Sequence, residues 1–137
     1  MANYQGLKEA GITLLKSTAA CNLAAVAGTE LALYTVPTGK TAIIHTVVMR
    51  TFSADCTTAV VTFGHTVGTC EEWSGNVTLT GITASYAEQV VILQPVPATT
   101  PLAKSMFAAA EIFGMEITTA GAASTCTIDV FGYLFNE

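Results

Sequence analysis

Apolar and polar residues alternate with a period of two along most of this chain, and almost nowhere with the period of a helix. In Thr57 to Phe63, Ala59, Val61 and Phe63 fall on one face and Thr58, Val60 and Thr62 on the other. Asn76 to Thr80 alternates in the same way, with Val77 and Leu79 inward. Phe113 to Thr119 sets Phe113, Met115 and Ile117 against Glu116 and Thr118. Thr125 to Phe135 is the longest such run, with Cys126, Ile128, Val130 and Leu134 on one face. Successive side chains leave opposite faces of a pleated strand, so each of these runs reads as a strand with one face in the core. Glu88 to Gln94 is apolar through its middle, which predicts a strand covered on both faces.

Turn signals separate the runs: PTG, SADC, GHTVG, WSGN, PVP and AGAAS. They recur about every 8–15 residues, too close for βαβ units. The expected fold is all-β, an antiparallel β-sandwich of jelly-roll type with about eight strands and helix below about 15%. AGAAS reads as a hairpin loop between the last two strands. Pro95, Pro97 and Pro101 make PVPATTP an extended connection. Leu14–Ala27 and Leu102–Ile112 are Ala-rich and open to a helix, a loop or an arm. Residues 1–30 are the least regular part and read as an N-terminal arm or a peripheral strand pairing with a neighbour. Residues 31–137 then form the sandwich domain.

Gly39-Lys40-Thr41, in PTGKT, has the ending of a phosphate-binding loop. The second glycine that such a loop needs would stand at position 34, which is tyrosine, and Pro37 removes one cradling amide. The next segment is β-branched, so no helix N-terminus waits for an anion. Val36-Pro37-Thr38-Gly39 reads instead as the turn of a hairpin, with Pro second and Gly fourth.

Composition sharpens this picture. Of 137 residues, 51% are hydrophobic and only 11% charged, against roughly a quarter in ordinary soluble domains. A surface so poor in charge is expected to be covered in part by other subunits. Four lysines and one arginine leave no basic patch for nucleic acid, and the net charge is −5. No stretch has the 18 or so apolar residues of a membrane span, and the N-terminus lacks the layout of a signal peptide, so synthesis in a cytoplasm is expected. Cys21, Cys56, Cys70 and Cys126 form no CxxC pair, which predicts free thiols and no zinc site. A Cys56–Cys70 bridge between neighbouring loops is the alternative in an oxidising medium.

Candidate chemistry is sparse. His45 lies mid-strand on the face of Ile43 and Val47, which suits a packed histidine better than a ligand. His65, Cys70, Glu71 and Glu72 fall within eight residues, but their spacing matches no metal template. No nucleophile elbow, zincin helix or serine triad occurs, so no catalytic, cofactor or metal residue is assigned and no enzyme is expected. Asn76-Val77-Thr78 matches a glycosylation sequon by coincidence. Trp73, the only tryptophan, lies in a predicted loop as a lid over the core or as an interface anchor, with Tyr86 the other loop aromatic. Phe131, Tyr133 and Phe135 share the face opposite Ile128 and Val130, so the last strand is apolar on both sides. It is either central to the sandwich or in contact with another chain. Trp73, Tyr86, Phe131, Tyr133 and Phe135 are the candidate interface residues.

LYTVPTGKTAIIHTVVMRTFS resembles the opening strands of small β-sandwich virion proteins of tailed bacteriophages, and TCTIDVFGYLF resembles their closing strand. About a third of the chain carries this resemblance, by pattern and without a catalytic motif. It implies a structural particle protein, above all a head decoration (cement) protein. Such a protein is made in the host cytoplasm and sits on the capsid surface. It works as a homo-oligomer, often a trimer, against the major capsid protein at capsomer junctions. A tail or fibre component is the related alternative. A carbohydrate-binding sandwich is the competing class, and it would use exposed loop aromatics such as Trp73 and Tyr86.

Overall fold

The computed structural model describes residues 11–66, 70–96 and 104–136. Its strands are β1 (Thr13–Asn22), β2 (Glu30–Thr35), β3 (Lys40–Arg50), β4 (Val60–His65), β5 (Ser74–Thr78), β6 (Val91–Leu93), β7 (Met106–Phe107), β8 (Ile112–Thr119) and β9 (Thr125–Asn136). A 3₁₀ turn, Tyr86–Glu88, precedes β6. Strand accounts for 55% of the structure and helix for 3%, as the period of two predicts. Leu14–Ala27 runs through most of β1, and the described part of Leu102–Ile112 holds β7 and the first residue of β8. No helix among the described residues is long and apolar enough to cross a membrane.

Two antiparallel sheets pack face to face. One has the order β1-β9-β3-β6, with β7 also paired to β3, and the other has the order β2-β8-β4-β5. Most connections pass from one sheet to the other, which corrects two sequence expectations. Pro37 to Lys40 does not close a hairpin, because β2 pairs with β8 while β3 pairs with β9. AGAAS likewise leads from β8 in one sheet to β9 in the other. Of the segments read as strands, only β4 and β5 follow one another as antiparallel neighbours in one sheet. The turn itself lies one residue later than expected. Lys40 N–H donates to the Pro37 carbonyl at 3.2 Å, with Gly39 in the left-handed region at φ +74°. Glycine is needed at this third position because a Cβ would crowd the following carbonyl. Lys40 then opens β3, and its ammonium reaches the side chain of Asn136 on β9.

The inward faces follow the predicted alternation. Ile44, Val47, Met49, Cys126, Ile128 and Val130 from one sheet meet Val61, Phe63, Phe113, Met115 and Ile117 from the other, all buried. A β-bulge in β3 shifts the alternation at one point. The register with β9 skips between Ile44 and Thr46, so His45 is the extra residue. Beyond it Val47 turns into the core, and His45 shares a face with Ile43 but not with Val47. The EQVVILQ run is also different from its reading. It yields only a three-residue edge strand, with Val90 and Ile92 exposed. Its apolar middle is exposed on one side where a strand covered on both faces was expected.

Within residues 1–30, the described part contains β1, which pairs with β9 of its own chain from Thr13 to Asn22. Residues 1–10 lie outside the described residues, as does most of PVPATTP.

Candidate functional site

The outward face of the five-stranded sheet holds three of the candidate interface residues, Phe131, Tyr133 and Phe135. Residues directly opposite in an antiparallel ladder point to the same side, so the register can be read as rows across the sheet. One row runs Leu14, Phe131, Thr46 and the next runs Tyr133, Ile43, Met106. Phe135 and Thr41 continue the face towards the end of β9, while Asp129, Val48 and Ile92 form the row on the other side. Tyr133 stacks on Phe135 with centroids 6.0 Å apart, and the His45 ring meets Tyr133 edge-on at 6.4 Å. The exposed large apolar side chains include Leu14 at 52%, Met106 at 60% and Ile92 at 69%. Phe131, Tyr133 and Phe135 are half-buried.

β9 is central in its sheet, between β1 and β3. That position satisfies the backbone on both edges of the strand, but no described strand packs on its outward face, so it does not account for three half-buried aromatics there. Four strands about 4.8 Å apart, over eight residues at about 3.4 Å each, give a face on the order of 500 Å². Patches of this size on a monomer are often functional.

A polar anchor crosses this face. Ser17 Oγ on β1 donates to Asp129 Oδ1 at 2.5 Å, and Arg50 Nε on β3 donates to Asp129 Oδ2 at 2.7 Å. Burial alone would raise the Asp129 pKa, but the hydrogen bonds from Arg50 and Ser17 and the guanidinium charge outweigh it and hold the carboxyl below its ordinary 3.8. A depressed pKa stabilises the fold above the ordinary carboxylate range, and that contribution is lost as pH falls through the native value. Asp129→Asn is therefore expected to lower Tm by about 3–5 °C at pH 6, a modest value because Arg50 is partly exposed. The gap from the wild type should close below about pH 4, as thermal melts across pH would read.

The five candidate interface residues separate. Phe131, Tyr133 and Phe135 share the outward face. Trp73 is fully enclosed within the core, with Nε1–H donating to the Ile44 carbonyl at 3.0 Å. Tyr86 is half-buried in the 3₁₀ turn and packs on the margin of the core. The two loop aromatics offer no paired platform for stacking a sugar. Ile43, Leu14, Met106 and Ile92 belong to the face without a sequence signal that marks them. The four come from four separate strands, and Ile43 reaches the face beside the bulged His45.

The His65 cluster does not converge. Glu72 Oε2 accepts from the His65 backbone N–H at 2.9 Å, and the His65 ring turns edge-on towards Phe107. Cys70 is buried against Gly64, and burial with the nearby Glu30, Glu116 and Glu72 carboxylates pushes its thiol up to about 12. No group of three or more His, Cys, Asp or Glu among the described residues could hold a metal ion. All four cysteines are free and buried. Cys56 lies beside Ser124, with Sγ 3.5 Å from Oγ, so it has different neighbours from Cys70 and the Cys56–Cys70 bridge is not formed.

No known family profile matches the chain. No curated protein matches it either. Among solved structures, the fold is similar to a chain of the cyanophage Pam1 capsid asymmetric unit. The TM-score is 0.52 at 14% identity, over 90% of this chain and 84% of that one.

Proposed function

We propose that this protein is a non-enzymatic structural component of a phage particle, a decoration protein that docks on the capsid surface through the outward face of its five-stranded sheet. The exposed apolar face around Phe131, Tyr133 and Phe135 carries this reading, since the fold itself needs no apolar side chains there. The likeness in fold to a chain of a phage capsid and the scarcity of charge support it.

The size of the face is consistent with such a role. A stable pairwise complex buries roughly 800 Å² per partner. A face on the order of 500 Å² is small for that, but identical weak contacts repeated over a lattice add up by avidity. The major capsid protein is the partner in this reading. A homotrimer places three such faces around one axis at a capsomer junction.

The test combines sedimentation with binding to purified capsid shells. Ile92→Glu and Met106→Glu together put two charges on exposed positions of the face, so the variant should fold with an unchanged Tm. Shell binding should fall by more than tenfold, because each buried charge without a partner costs well over 1.4 kcal/mol. A wild-type chain that stays monomeric at high micromolar concentration and has no affinity for shells would defeat the proposal.

A further inference from the structure

We infer that Cys21 and Cys126 form a cross-strand disulfide site, which closes under a small-molecule disulfide oxidant and fastens the edge strand β1 to β9. The inference does not depend on the proposed function.

Geometry carries it. Cys21 and Cys126 are directly opposite in the β1–β9 register, and the next pair, Asn22 with Thr125, is also in register. Opposed residues in an antiparallel ladder have Cα atoms about 4.5–5.5 Å apart, inside the roughly 4.4–6.8 Å range of disulfides. Both side chains point into the core, at 2% and 1% exposure, and both are thiols. The bridge therefore needs side-chain rotation and little backbone movement. It would tie two positions on the order of 100 residues apart, where cross-linking restricts the unfolded chain most.

Access comes from the strand itself. β1 is an edge strand, and its pairing with β9 skips between Thr18 and Cys21. Ala20, within that skip, has φ +55°, a left-handed conformation unfavourable for a residue with a Cβ. Strain beside Cys21 at a sheet edge favours local opening over global unfolding. Burial raises the Cys21 thiol to about 11 and pushes Cys126 higher still, with Cys21 and Cys56 adding to the effect. The closed core thus resists oxidation, and reaction proceeds through the opened state.

The chemistry balances with oxidised glutathione. The Cys21 thiolate attacks one glutathione sulfur and expels a glutathione thiolate, leaving a mixed disulfide. The Cys126 thiolate then attacks the Cys21 sulfur, forms the Sγ–Sγ bond and expels the second glutathione. The two cysteine protons end on the two glutathione thiols.

The experiment incubates the full chain, natively folded and reduced, with oxidised glutathione at mildly alkaline pH, followed by thiol counting and non-reducing peptide mapping. The expected result is loss of two of the four thiols and a single cross-link joining the peptides of Cys21 and Cys126. Tm should rise by about 5 °C or more and return on reduction. Cys56→Ser should retain the cross-link and Cys21→Ser should abolish it. Four intact thiols after exposure long enough for β1 amides to exchange would overturn the inference. A cross-link through Cys56, or one between chains, would do the same. Mapping of the wild type decides the matter even if a serine variant fails to fold.

Discussion

Replacing Gly132 by alanine is expected to destabilise the protein by about 3 kcal/mol or more, enough to deplete the folded state of a domain with ordinary stability. Gly132 lies on β9 opposite Ile44, at the point where β3 bulges around His45. The bulge brings the β3 backbone down onto β9. A Cβ at position 132 would fall on the Ile43 carbonyl oxygen and lie 3.0 Å from the Ile43 carbonyl carbon and 3.2 Å from Ile44 Cα. These are backbone atoms, so no rotamer change relieves the clash. Relief would require separating β3 from β9, the two central strands of the sheet that bears the candidate docking face. Gly81→Ala is the control, because nothing lies within 4 Å of the added methyl and the stability change should stay within about 0.5 kcal/mol. Urea denaturation of both variants measures the difference. An unchanged midpoint for Gly132→Ala would mean that the bulge is not where the register puts it.

Trp73→Ala is expected to cost about 3–5 kcal/mol, the range for removing a large aromatic from a core. Trp73 is fully buried just before β5, with ring centroids 5.4 Å from Phe113 and 6.3 Å from Phe63, both edge-on. Phe107 completes the group, 5.5 Å from Phe113. The Trp73 indole N–H also reaches across the sandwich to the Ile44 carbonyl on β3, so one side chain fills the core and ties the two sheets together. Trp73→Phe separates these roles. It keeps most of the packing but leaves a buried carbonyl without that donor, an additional cost of about 1–2 kcal/mol. As the only tryptophan, Trp73 also reports on itself, with blue-shifted emission in the native state that moves to the red on unfolding. Emission typical of exposed indole in the native protein would contradict the buried position.

Local pattern determined a great deal about this protein. Alternation placed Val61, Phe63, Phe113, Met115, Ile117, Ile128 and Val130 in the core, because a period of two admits only one inward set once one face is apolar. The same pattern set Phe131, Tyr133 and Phe135 on the opposite face of the last strand. The incomplete Gly-Lys-Thr signature was enough to identify a turn, since the missing glycine and Pro37 are local facts.

Only the tertiary structure decided which strands are neighbours. A turn residue dictates a change of direction, and that change is compatible with a hairpin or with a crossing between sheets. Pro37–Lys40 and AGAAS both cross. The bulge at His45 was equally hidden, because an extra residue is defined by the partner strand opposite it. Trp73 became a core residue through contacts with Phe63, Phe113 and Ile44, each distant from it in the fold's connectivity or on another strand. The candidate face itself is a product of the register. Leu14, Ile43, Ile92 and Met106 are scattered along the chain, and long-range backbone pairing alone brings them beside the aromatics of β9.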